Sequence, residues 1–441
     1  MKRLVFAAVI VFCCFSYSSK ANNDWRTITE DPAHLHRVMK EVTDVIVHDI
    51  YSPPVASRIY AYVSIAGYEA AIAPDKNYNS FAGQLHGLNS LPKPGASAQY
   101  SAGLSAVHAM LLVAEAMIIS EDTIKNFHNK LLQEYKSSGI PQAVYDSSLS
   151  YGKQIAAAIL AWANKDQYKE TRALGKFAVL DDSITWKPTP PAYMQAIEPY
   201  WGRMRTFVLD SVKKFKPLPA IPFSTDTTSE FYKQAKAVYN KGNNLTDEQK
   251  WIANFWDCNP FKMNVDGHVM YATKKISPGG HWINITAVAC KQTHADLAKS
   301  AEAYACVAVT IADAIIGCWD EKYRSIVIRP ETYINNYIDQ SWMPLLQTPP
   351  FPEYTSGHSV ISSSAAVVLT KIFGDNFSYT DSTEVEFSVA PRSFKSFNQA
   401  AEEAAISRFY GGIHYNAAIV NGLTEGRKIG NYVLKNIKME N

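Results

Sequence analysis

The chain has 441 residues, 47% of them hydrophobic by type, so it can bury one large core or two fused ones and small size is no obstacle to stability. Its formal charge is only +2, from 43 Lys and Arg against 41 Asp and Glu, and no polybasic run occurs. That balance argues against nucleic acid or an anionic membrane surface as a partner, and leaves recognition of an anion to local groups.

Met1-Lys2-Arg3 followed by the apolar run Leu4–Phe15 has the layout of a signal peptide, and the small residues Ser19 and Ala21 place cleavage after Ala21. The mature chain is then expected to be exported, to the periplasm or beyond. A lipoprotein reading is weaker, because neither Cys13 nor Cys14 follows a small residue. No later apolar stretch runs uninterrupted for the roughly 20 residues that a bilayer crossing takes, so no membrane span is expected in the mature chain. Four cysteines remain, Cys258, Cys290, Cys306 and Cys318, with spacings that fit no zinc motif. Export permits one or two disulfides among them, and spacing does not give the pairing.

Residues 22–184 carry apolar residues at helical spacing. Val38, Val42, Val45 and Ile46 mark one helix, and Ile59, Tyr62, Ile65 and Tyr68 mark another beyond the Ser52-Pro53-Pro54 break. Further helices are predicted from about Ala98 to Ile119, Glu121 to Tyr135 and Pro141 to Asn164, with Pro141 in a first helical turn. Residues 185–224 are rich in proline, including Pro188, Pro190, Pro191, Pro199 and Pro217, which breaks any long helix. Trp186, Tyr193, Trp201 and Phe207 make this segment too apolar for a loose linker, so it is an ordered strap packed on helices.

Residues 225–441 form a C-terminal helical region integrated with the first half. Helices are predicted at Ser229–Asn240, Thr246–Asp257 and His281–Lys291. A long one, from about His294 to Trp319, is striped by Tyr304, Val307, Ile311 and Ile315. The one strand-like alternation, Phe377 to Val389, allows a single short hairpin. The expected fold class is therefore all-α, built of helical bundles.

Three short motifs in this half carry chemistry. Lys322 and Arg329-Pro330 place two cations seven residues apart, and Pro330 disfavours helix at Arg329, so the two approach from different directions. Taken alone, such cations commonly just complement a helix C-terminus. Ser356-Gly357-His358 opens an apolar run, which puts free N–H groups, a hydroxyl and an imidazole at a helix start where negative charge is favoured. An ordinary N-cap gives the same pattern. Ser407-Arg408 and His414 flank Gly411-Gly412, which breaks the helix and lets both side chains reach one site.

In order and spacing these motifs, Lys-x6-Arg-Pro, Ser-Gly-His and Ser-Arg-x5-His, resemble those shared by vanadium haloperoxidases and type 2 phosphatidic acid phosphatases. The resemblance is closest to bacterial vanadium-dependent, iodoperoxidase-like enzymes. It extends to Trp319, to the Pro350-Phe351-Pro352-Glu353-Tyr354 approach to Ser356, to Pro199-Tyr200-Trp201-Gly202 and to the segment from Tyr51-Ser52-Pro53-Pro54 to Tyr68-Glu69-Ala70, so it covers nearly the whole mature chain. It implies a helical vanadium haloperoxidase with one vanadate per chain, and hydrogen peroxide and halide, iodide or bromide favoured, as partners.

His414 would be the axial ligand of vanadium. Lys322, Arg329, Ser356, Gly357 and Arg408 would hold the vanadate oxygens, and His358 would be the acid–base group. Trp319 and Phe351 are candidates for the halide pocket, though both also suit a core. The alternative is an exported acid phosphatase in which His414 is the nucleophile and His358 protonates the leaving group. One departure bears on it: the phosphatase pattern places an acid four residues after the histidine, where this chain has Ala418, and sequence does not say which acid orients His414. The leader assignment predicts that the exported protein begins at Asn22, as mass spectrometry of its N-terminus will show; a retained Met1 contradicts it.

Overall fold

The computed structural model describes residues 25–95 and 99–440. The signal peptide assigned to residues 1–21 lies outside the described residues.

Helix Leu297–Ser325 runs through the centre, with every residue from Ser300 to Trp319 buried. By length and hydropathy this helix resembles a membrane span, yet its apolar window is wholly covered by protein. Glu302 and Asp313 interrupt it, which is why no uninterrupted apolar run stands out in the sequence. On one side it packs against Pro53–Ile72, buried along its whole length, which in turn packs against Ala102–Met117 and Gln142–Ala163. On the other side it meets Gly357–Phe373, which is flanked by Phe397–Tyr410 and Asn416–Asn436. One apolar core therefore draws residues from both halves.

The proline-rich strap holds only short helical turns, Trp201–Arg203 and Val212–Phe215. It is fastened by the buried carboxylate of Asp313, which accepts the N–H groups of Phe207, Val208 and Leu209 at 2.6, 2.8 and 2.9 Å. Burial pushes the Asp313 carboxyl up to about 6 despite those three donors. Trp186, Trp201 and Phe207 in this segment are buried, whereas Tyr193 is exposed.

Two expectations need correction. Two antiparallel strand pairs are present among the described residues, not one. Met263–Asp266 pairs with Val269–Ala272, and Tyr379–Asp381 pairs with Arg392–Phe394 rather than closing before Val389. The first pair turns at Gly267, whose φ of +59° suits the two-residue loop. Its second strand is largely exposed and puts Val269, Met270 and Tyr271 in succession, so it shows no period-two alternation. Pro141 stands before helix Gln142–Ala163 as its N-cap rather than inside it. The cysteines Cys258, Cys290, Cys306 and Cys318 are all free and buried.

The last helix lies close on Gly357–Phe373 because Gly422, Gly426 and Gly430 face it at every fourth position. A Cβ on Gly426 would fall 2.2 Å from the Val360 carbonyl oxygen. That contact holds the helix that begins at Ser356. Gly426→Val is expected to lower stability by at least about 2 kcal/mol through overpacking, measured by denaturant unfolding; a wild-type midpoint contradicts the packing argument.

Candidate active site

The three motifs meet where helices begin and end. Lys322 occupies the last turn of the central helix, and Ile326, at φ 50°, closes it. Arg329 follows in extended conformation as the residue before helix Pro330–Tyr337, so the chain leaves the central helix between the two cations. Ser356 caps helix Gly357–Phe373, its hydroxyl accepting from the Ser359 N–H at 3.3 Å. Arg408 ends helix Phe397–Tyr410, and Gly412, at φ +77°, turns the chain so that His414 faces back.

Each cation is buried and has carbonyl partners. The Lys322 ammonium donates to the carbonyls of Pro352, Glu353 and Thr355 at 3.0, 3.1 and 2.5 Å. Burial lowers its pKa to about 8. Arg329 donates through Nε to Phe351 O and through Nη1 to Ile413 O, both at 2.9 Å, and burial lowers its pKa to about 10. Arg408 donates to the Trp256 carbonyl and lies 3.9 Å from Asp257.

His414 stands between an acid and a base. Its Nδ1 is 2.7 Å from Glu353 Oε1, which also accepts the Tyr415 N–H at 2.9 Å. Its Nε2 is 3.1 Å from Arg329 Nη1. The carboxylate assigns the proton to Nδ1, and the guanidinium requires a lone pair on Nε2. Burial, with Arg329, Lys322 and Arg408 nearby, holds His414 well below the usual histidine range, so it is neutral at pH 7. Glu353, pushed up to about 7 by burial and opposed by Arg329, is the orienting acid that the Ala418 position lacks. Ala418 serves instead through its carbonyl, which receives the Ser356 N–H at 3.1 Å.

His358 Nε2 lies 3.0 Å from the Trp256 carbonyl and 3.3 Å from Arg408 Nη1. Burial and Arg408 keep it neutral, well below its ordinary pKa. A small pocket opens over these groups, lined by Trp319, Phe351, Gly357, His358, Arg408 and His414 among others. Lys322 and Arg329, fully buried, touch that lining at Phe351 and His414, and buried Ser356 immediately precedes Gly357. Trp319 and Phe351 are both wall and core: each is buried, and their rings sit 5.1 Å apart. The Phe351 ring also lies 5.1 Å from Lys322 Nζ and 5.2 Å from the Arg329 guanidinium, within cation–π range.

All the residues singled out in the sequence are thus brought together. Glu353 and the Trp256 carbonyl were missed. Glu353 was visible as an acid three residues before Ser356, between Pro352 and Tyr354; a backbone carbonyl leaves no sequence signal.

A tetrahedral oxyanion fits this set. Arg329 Nη2 and Arg408 Nε are buried N–H groups with no partner among the described residues. Gly357 leaves room, since a Cβ there would approach only Trp319, at 3.8 Å. Three cations outweigh Glu353, the acid in direct contact with His414. Fold and site together define a helical oxyanion-binding protein.

Residues 336–440 match the family model described as the VCPO second helical-bundle domain. The crystal structure of the first bacterial vanadium-dependent iodoperoxidase is similar at a TM-score of 0.89 and 48% identity, over 93% of this chain and 98% of that one. Holo and apo structures of a bacterial vanadium-dependent chloroperoxidase share the fold, each at a TM-score of 0.66, with 14% and 15% identity. They cover 88% and 87% of this chain and 92% of their own. No curated protein matches the sequence significantly. The chain belongs to the vanadium-dependent haloperoxidase family.

Glu353→Gln is expected to weaken vanadate binding roughly 10- to 100-fold, since it removes the charge behind the His414 imidazole; equilibrium titration with vanadate checks this, and an unchanged affinity removes Glu353 from that role. Lys322, neutral above about pH 8 in the free protein, has to regain its proton to hold an anion. Its contribution is therefore full below that pH and is lost as pH rises. Sulfate, whose charge is constant over this range, is predicted to bind about tenfold more weakly per pH unit above pH 8; calorimetry showing a flat profile to pH 10 contradicts it.

Proposed function

We propose that this protein is an exported haloperoxidase that oxidises halide with hydrogen peroxide, iodide or bromide by preference, and that one vanadate per chain would be held by His414. The observation that carries this is the placement of the His414 imidazole, with Nδ1 2.7 Å from Glu353 Oε1 and Nε2 3.1 Å from Arg329 Nη1 among buried cations. Vanadate bound there supplies a Lewis acid that activates peroxide towards two-electron oxidation of halide.

The chain's own groups do the rest. Lys322, Arg329 and Arg408 neutralise and orient the anion, and the two orphaned guanidinium N–H groups gain acceptors. Ser356, whose oxygen already accepts from Ser359, keeps its hydroxyl proton for donation. The N–H of Gly357 lies in the first helical turn, where no intrahelical partner exists. His358, on the pocket wall, moves protons to and from the reacting oxygens. Trp319 and Phe351 present an apolar face suited to the large, weakly hydrated iodide.

The iodoperoxidase that is 48% identical over most of both chains supports this assignment above an acid phosphatase. Export rests on the leader pattern of Met1–Ala21.

Vanadate-loaded protein is expected to oxidise iodide with hydrogen peroxide. His414→Ala should abolish the activity, and His358→Ala should lower turnover by about 10²–10⁴-fold. Full activity in His414→Ala, or hydrolysis of a chromogenic phosphate ester by vanadium-free protein in place of halide oxidation, contradicts the proposal.

A further inference from the structure

One cluster of ligating side chains lies outside the vanadate cradle. Cys258 Sγ, His281 Nδ1 and Glu384 Oε1 come from three separate segments, and these atoms all lie within 4.8 Å of one another. The sulfur is 3.3 Å and the carboxylate oxygen 3.2 Å from the ring nitrogen. All three residues are buried, His281 completely. A ring nitrogen carries at most one proton, so it cannot serve both neighbours, and Glu384 Oε1 is left with no hydrogen-bond partner.

The far side of the ring is fixed. His281 Nε2 lies 2.7 Å from Asp381 Oδ2. Asp381 is itself anchored by the Thr383 N–H at 3.0 Å and hydroxyl at 2.7 Å. A carboxylate on one imidazole nitrogen, with ligands gathered at the other, is the arrangement that orients histidine towards a metal. Tetrahedral coordination with bonds of about 2.0–2.3 Å separates ligand atoms by about 3.3–3.6 Å, close to the 3.3 and 3.2 Å that separate the sulfur and the carboxylate oxygen from the ring nitrogen.

We propose that Cys258, His281 and Glu384 bind a divalent metal ion of the zinc type, with Asp381 as the positioning residue for His281. The charge balance permits this in a buried place. A dication bound by the Cys258 thiolate and the Glu384 carboxylate, with the imidazole neutral, displaces the thiol proton and any Nδ1 proton to solvent, and with Asp381 the site carries one net negative charge.

The ion would also steady the active site. The Trp256 ring stacks on His281 at 4.7 Å, and the carbonyl of Trp256 holds both His358 and Arg408. Cys258 itself lines the active-site pocket. Residues 256–258 therefore connect the two sites.

The test uses the full mature chain, freed of vanadate and refolded with Zn²⁺ or Co²⁺, because the buried ligands have to take up metal during folding. Elemental analysis should find about one zinc per chain. The cobalt form should show a thiolate-to-cobalt charge-transfer band, lost in Cys258→Ser and altered in Glu384→Gln. Native protein without bound metal, or a cobalt spectrum lacking the thiolate band, overturns the proposal. So does metal content unchanged in Cys258→Ser. If Cys258→Ser fails to fold, the wild-type cobalt spectrum decides alone.

Discussion

Burying three cations within one site is the constraint on which the rest of this structure depends. Lys322, Arg329 and Arg408 are 0%, 0% and 1% exposed. Each such burial costs on the order of several kcal/mol unless the charge is hydrogen-bonded and matched. The carbonyls that serve them come from the Phe351–Thr355 approach, from Ile413 and from Trp256. Those carbonyls are free to do so because they lie in loops between helices rather than inside them. The helical core therefore does more than cover an apolar surface. It sets helix ends and loops around one point, and the resulting excess of positive charge is what a tetrahedral oxyanion satisfies.

The same cations determine the state of His414. A histidine beside guanidinium and ammonium groups in a dry site does not stay protonated, and Glu353 at Nδ1 settles which nitrogen keeps its hydrogen. Both effects leave an unprotonated Nε2 on the inward side. The turn at Gly412 puts it there: without a residue tolerant of positive φ, the chain following Arg408 would carry His414 away from the cradle. Glu353 also accepts the Tyr415 N–H at the start of the last helix, so the histidine and the helix behind it share one anchor.

Much of this was legible in the sequence for local reasons. Helix ends are marked by short-range chemistry, so Pro330 after Arg329, Ser356 before an apolar run and Gly411-Gly412 before His414 foretold the bends that bring the motifs together. The helices themselves followed from apolar periodicity. What escaped depends on tertiary contact. Glu353 looked like one acid among many until folding placed it against an imidazole 61 positions away. Trp256 acts through its backbone, which side-chain identity does not report. The exposed strand at Val269–Ala272 buries neither face and so lacks the alternation by which strands are recognised. The cysteines are free and buried, a state that spacing does not distinguish from pairing.

The proposed function requires a bond between vanadium and the inward nitrogen of His414. X-ray absorption at the vanadium edge of the vanadate-loaded protein measures it most directly. One nitrogen ligand among oxygens is predicted, and it should disappear in His414→Ala. A vanadium shell of oxygens alone in the native protein, or a nitrogen ligand that survives that substitution, would contradict it.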